Sequence, residues 1–170
     1  MQAGLSDSHR LFLALWPDPA ACAALQQWQA LWPAHAPARK VAAARLHLTL
    51  HFIGSVAADR VADVVGSVET PMRPSSLAFG RLATWAGGLA VLELLEPSPE
   101  LSALHAALAE RLQAAGLPVE QRPFHPHVTL ARRAMRPTTN AGPLFNWRVA
   151  DYALVRSLPG GTYQTLRRYG

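Results

Sequence analysis

Two short phrases carry histidine and threonine at one spacing. In RLHLTLHFIG (45–54) His47 stands two residues before Thr49, and in PFHPHVTLAR (123–132) His127 stands two before Thr129, each phrase continuing into leucine. On an extended chain successive side chains alternate faces. His47 and Thr49 therefore share one face while Leu48 and Leu50 take the other, and His127 and Thr129 stand in the same way against Val128 and Leu130. Each phrase presents one imidazole and one hydroxyl from a strand anchored by apolar neighbours. With 7 histidines in 170 residues, chance supplies a His-x-Thr-Leu phrase roughly 0.05 times, so two of them require a reason.

Two facing imidazoles suit in-line displacement at phosphorus. The attacking and leaving oxygens lie on opposite sides of the phosphorus, so a base is needed at one end and an acid at the other. Imidazole, with an ordinary pKa of about 6.5, serves either role near neutral pH. The hydroxyls of Thr49 and Thr129 can donate to the non-bridging oxygens, where charge resides throughout the reaction. This scheme calls for no metal and no cofactor. Its chemical rival is a metal site built from His47, His51, His125 and His127. No carboxylate lies in either strand stretch, however, and neither HExxH nor a cysteine pattern exists. A non-catalytic nucleotide binder would not need a matched acid and base. The symmetry of the phrases does not say which histidine donates the proton.

Such strands need a scaffold. RLFLALW (10–16) reads as a strand, and Asp18-Pro19 opens a helix through Trp32 with Leu25, Trp28 and Leu31–Trp32 at helical spacing. HLTLHFIG is a strand closed by Gly54. A helix over 57–69 carries Val61, Val64, Val65 and Val68 on one face. SLAFGRLATW (76–85) and LAVLELL (89–95) form a hairpin about Ala-Gly-Gly. Ser98-Pro99-Glu100 starts a helix that ends at Gly116 and holds His105 in a structural or solvent-facing place. HVTLARR is a strand. FNWRVADYALVRS and GTYQTLRRY alternate like two strands about the turn SLPGG (157–161). The order, roughly β-α-β-α-β-β-α-β-β-β-β, predicts an α+β fold with mainly antiparallel sheets. Eighty residues separate the two phrases, which points to internal duplication into two lobes.

The bulk composition fits. Half the residues are hydrophobic, enough for one packed domain. The formal charge is +5, carried by 15 arginines and Lys40, which permits an anionic partner such as RNA without requiring one. Cys22 is the single cysteine, so there is no disulfide framework. LFLALW is too short to span a bilayer or to form a signal-peptide core, so no membrane partner is expected and the cytoplasm is the expected compartment. Residues 1–8 read as a flexible leader to a single domain over 9–170.

Both His-x-Thr-Leu phrases, the opening RLFLALW-P and the closing GGTYQTLRRY resemble the two-histidine (2H) phosphoesterases, in particular the RNA 2′,3′-cyclic phosphodiesterase group historically called 2′-5′ RNA ligases. The resemblance spans about Arg10 to Tyr169. It implies a bilobal α+β fold, two pseudo-symmetric antiparallel β-sheets flanked by helices around a central cleft. The implied activity is metal-independent hydrolysis of RNA 2′,3′-cyclic phosphate ends to a 2′-phosphate by a monomer. His47 would be the proton donor, His127 the proton acceptor, and Thr49 and Thr129 the phosphate ligands. Such proteins often carry Lys or Arg where this chain has His51, and a basic or polar residue where it has His125. By strand parity both face the cleft and bind substrate. Strict alternation turns Arg132 away from His127, leaving it as either a phosphate contact or a surface residue. WAGGLAVLELL lacks the aromatic expected beside the cleft, so Phe12, Phe124 and Tyr163 are the candidate platforms for the terminal base. The alternatives are a phosphodiesterase for a small cyclic nucleotide and a non-catalytic RNA-binding or nucleotide-binding module.

Overall fold

The computed structural model describes residues 7–33, 36–137, 139 and 141–170. Among them, in chain order, are β1 (Ser8–Leu15), α1 (Pro19–Gln29), β2 (Arg39–Lys40), β3 (Leu48–Ala57), α2 (Val61–Ser67), β4 (Ser75–Trp85), β5 (Leu89–Leu94), α3 (Pro99–Ala114), β6 (His127–Arg132), β7 (Phe145–Val149), β8 (Tyr152–Ser157) and β9 (Tyr163–Tyr169). The two long helices start by the same device. The Asp18 carboxylate accepts from the Ala21 amide at 2.7 Å and the Ser98 hydroxyl accepts from the Leu101 amide at 3.2 Å, each cap being followed by proline. The caps lie eighty residues apart, like the two histidines. Leu101, Leu104, Leu108 and Leu112 form the buried stripe of α3. The hairpin between β4 and β5 turns on Gly87 and Gly88, both at positive φ (77° and 74°), as its Ala-Gly-Gly predicts.

All pairings are antiparallel, and the strand order is β7-β4-β5-β6-β3-β1-β8-β9, with β2 paired to β6. The α+β class therefore holds. The two expected sheets are halves of one sheet, β7-β4-β5-β6 and β3-β1-β8-β9, joined through the single residue pair Leu48–Val128. Only Ala150 and Asp151 separate β7 from β8, a reach of about 11 Å at most. Six strand spacings lie between those strands in the sheet, roughly 29 Å if it were flat. The sheet must curl until its two ends approach.

The helices cross between halves. α1, which follows β1 of the first half, packs on β6 and β7 of the second, while α3, which precedes β6, packs on β3 of the first. One continuous core results, running from Leu11, Leu13 and Leu15 through Trp28 and the α3 leucines to Trp147 and Leu154.

Four sequence expectations shift. Residues 1–6 of the expected leader lie outside the described residues. Asp7 and Ser8, its last two, are tied down: the Asp7 carbonyl accepts from the Ala58 amide and Ser8 opens β1 opposite Ala57. Gly54 does not close β3. It takes φ 87° at an irregularity where β1 skips Ile53, and the strand runs on to Ala57. The alternating run 145–157 breaks at Ala150-Asp151 into strands of different halves, and β2 follows Pro33 and Pro37 in a stretch without periodicity.

Candidate active site

The site is built around the junction of the halves. Leu48 of β3 and Val128 of β6 are cross-strand partners with fully buried side chains. The residues flanking each therefore project from the opposite face. Antiparallel sense sets Thr49 toward His127 and His47 toward Thr129, with diagonal neighbours about 7–8 Å apart where pairing is regular. Pairing between β3 and β6 is confined to this one residue pair, and the strands part around it into a cleft lined by all four side chains. The imidazoles are held alike. His47 Nδ1 lies 2.6 Å from the Arg45 carbonyl and His127 Nδ1 lies 2.7 Å from the His125 carbonyl. A carbonyl only accepts, so Nδ1 carries the proton in each ring and Nε2 is left for a ligand.

Beyond the threonines strict alternation fails, in the same way on both strands. Ala14 pairs with Thr49 and Leu13 with His51, so Leu50 is skipped by β1. Val91 pairs with Thr129 and Ala90 with Ala131, so Leu130 is skipped by β5. Each is a one-residue bulge, which inverts the facing of the residues that follow it up to any further irregularity. Residues 47–52 and 127–132 accordingly show one exposure pattern, in which the skipped leucine and its successor are both buried and the sixth residue is exposed.

The bulges correct two site expectations. His51 does not face the cleft. It is 3% exposed on the helix side, where Nε2 lies 2.8 Å from the His105 carbonyl. Arg132 is turned into the cleft rather than away from it, and Phe52, its counterpart eighty residues earlier, enters the same wall. His125 is also corrected. Together with Pro126 it lines a smaller neighbouring pocket, and only its carbonyl serves His127. The imidazoles of the metal alternative thus do not converge, since His51 and His125 lie apart from the His47–His127 pair.

The cleft encloses about 770 Å³, and Arg10, Arg39, Lys40, Arg45 and Arg132 line it; no carboxylate does so among the described residues. Burial is the largest influence on His47 and lowers its pKa. The Arg45 carbonyl works against this, while the charges of Arg45, His127 and Arg132 add to it. His127 is also lowered by burial first. Its carbonyl partner and the Glu93 carboxylate pull it up and His125 pulls it down. Both rings therefore give up a proton more readily than a free imidazole does.

Aromatic rings brace each imidazole. Trp16 stacks on His47 with centroids 4.9 Å apart, and Phe12 and Tyr163 lie 5.3 and 5.4 Å from it. Trp85 lies 4.3 Å from His127, so the segment expected to lack an aromatic beside the cleft supplies one at its first residue. Of the three candidate platforms, Phe12 is 5% exposed and backs His47, Tyr163 packs edge-on against the same ring, and Phe124 stacks on His105 outside the cleft. The exposed ring is Phe52, at 62%. Strict alternation would bury it with Leu48 and Leu50, and the bulge at Leu50 turns it out.

Behind the sheet His105 is sandwiched between His51 and Phe124, with centroid separations of 3.9 Å on both sides. This bears out a structural role for His105. Burial, then the neighbouring His51, depresses its pKa to about 4 against a small upward pull from Glu120. A depressed imidazole binds fewer protons folded than unfolded. Its contribution is complete above pH 6.5 and is lost as pH falls from there toward 4. The melting temperature should therefore drop by several degrees between pH 7 and pH 5, at roughly 2–4 °C per kcal/mol for a chain this long. His105→Phe, which keeps a ring in the stack, should flatten that slope in a calorimetric pH series; an unchanged slope would assign it to other groups.

A curled antiparallel sheet that opens paired His–Thr strands into a cation-lined cleft defines a two-histidine phosphoesterase architecture. The chain belongs to the 2′-5′ RNA ligase superfamily, whose family model matches residues 17–157. It is 31% identical over 150 residues to the RNA 2′,3′-cyclic phosphodiesterase of Escherichia coli K12, covering 86% of this chain and 84% of that one. To the RNA 2′,3′-cyclic phosphodiesterase of Bacillus subtilis 168 it is 32% identical over 93 residues, covering 51% of each. The crystal structure of E. coli LigT complexed with 3′-AMP superposes with a TM-score of 0.81 at 28% identity, over 95% of this chain and 97% of that chain. No helix among the described residues is long and apolar enough to cross a membrane.

Proposed function

We propose that this protein is an RNA 2′,3′-cyclic 3′-phosphodiesterase that acts as a cytoplasmic monomer and opens terminal cyclic phosphates to 2′-phosphates. His47 protonates the departing 3′-oxygen and His127 takes the proton of the attacking water. Thr49 and Thr129 hold the non-bridging oxygens, and Arg132 adds positive charge beside them. The observation that carries the reading is the matched pair of imidazoles, each with Nδ1 committed to a carbonyl two residues earlier and Nε2 free, set across Leu48–Val128 over one cleft. The cation row extends beyond what one phosphate needs, which favours an RNA end over a small cyclic nucleotide. Phe52 offers a face for a terminal base.

The test is an assay in EDTA on an oligonucleotide ending in a 2′,3′-cyclic phosphate and on the mononucleotide with the same terminus. A 2′-phosphate product should form without added metal. The oligonucleotide should show the higher kcat/KM, and its advantage should shrink as salt rises. Equal kcat/KM for both at every salt concentration would move the substrate to small cyclic nucleotides. No turnover of either would leave only a binding module.

A further inference from the structure

The two halves repeat one another at the histidines and threonines, but the residue across the strand from each histidine differs. Continuing the β1–β3 ladder past Leu15–Leu48 brings Trp16 opposite His47, and Trp16 stacks on that ring. Across from His127 stands Glu93, its register partner on β5. Directly opposed residues of an antiparallel pair project from the same face with Cβ atoms about 4.5–5.5 Å apart. The carboxylate is also fixed. Trp85 Nε1 donates to Glu93 Oε1 at 3.0 Å, and the same indole packs against the His127 ring. Arg81, opposite Glu93 on β4, donates instead to the Leu95 carbonyl, and Glu93 enters none of the ion pairs among the described residues.

We infer that Glu93 is a positioning residue for His127, holding a fixed negative charge beside the imidazole that becomes a cation when it takes the proton from water. This rests on the proposed function and gives it a direction that the repeated phrases cannot. An adjacent carboxylate stabilises the imidazolium formed when His127 accepts a proton, whereas Arg45 and Arg132 beside His47 favour release of a proton once that ring carries one. The other groups around His127 are His125 before it on the chain, His47 across the junction and the cleft cations Arg39, Arg45 and Arg132. None is an anion, so among the described residues Glu93 is the negative charge beside that ring.

Glu93→Gln keeps an oxygen for Trp85 Nε1 and removes the charge. In the ligand-free protein the NMR titration of His127 should move to lower pH, while that of His105 stays put. With a cyclic-phosphate oligonucleotide kcat should fall about tenfold, the equivalent of one pKa unit, with KM little changed. Glu93→Asp, which retains the charge, should recover part of the loss. An unmoved His127 titration in Glu93→Gln, or equal kcat losses in the Gln and Asp variants, would overturn the inference. His127→Ala separates it from the parent reading: full activity there removes His127 as the base, whereas an inactive His127→Ala beside an unaffected Glu93→Gln removes only the role of Glu93.

Discussion

His47→Ala and His127→Ala each lower turnover of a cyclic-phosphate-terminated oligonucleotide by about 10²–10⁴-fold, the usual share of acid–base catalysis. The two losses do not multiply. In-line displacement needs a proton delivered at one oxygen and removed at the other in one passage, so removing either group disables most of what the pair does. The double variant should be within about tenfold of the worse single one. KM changes less than kcat, because Thr49, Thr129 and the cation row still hold the phosphate. Both imidazoles are partly exposed at the cleft, and each variant should melt near the parent temperature, so the loss cannot be attributed to unfolding. Wild-type turnover in either variant would end the paired-histidine assignment.

The parts legible in the sequence are those that depend on local pattern. The α+β class followed from the order of alternating and helical runs. The facing of His47, Thr49, His127 and Thr129 followed from a period of two over three residues. What failed was the same rule carried further. A bulge resets parity, and neither Leu50 nor Leu130 signals one by residue type, since both are buried on either reading. There was an indirect signal. Strict alternation placed Arg132 with Val128 and Leu130 on the core face, where a lone guanidinium is costly to bury. A charge at such a position argues for an extra residue before it, and the eighty-residue repeat would then have carried the bulge back to Leu50, freeing Phe52 and burying His51. The Glu93–His127 register and the carbonyls of Arg45 and His125 are long-range or main-chain features that no side-chain pattern encodes. The crossing of α1 and α3 between halves is likewise invisible, because both helices have one apolar stripe whichever sheet it meets.

That crossing carries the second large effect. Trp28 on α1 is 1% exposed, and its indole Nε1 donates to the Pro143 carbonyl at 2.8 Å. The ring lies so close to Gly142 that a Cβ there would fall 2.3–2.5 Å from it. Trp28→Ala should destabilise the fold by about 3–5 kcal/mol, a large part of the roughly 5–15 kcal/mol that a domain has. The effect should reach the cleft. The next residue, Gln29, donates through Nε2 to the carbonyls of Val41 and Leu130, both at 2.8 Å, and Leu130 is the skipped residue that turns Arg132 inward. Loosening α1 therefore loosens the β6 bulge, and kcat/KM of Trp28→Ala should fall more steeply on warming than that of the parent. Because α1 belongs to the first half by sequence and to the second by packing, neither half keeps its core when the other melts. Thermal unfolding of Trp28→Ala should remain one cooperative transition at lower temperature. Two resolved transitions in calorimetry would show instead that the halves hold their structure separately, and that the helix exchange is not what joins them.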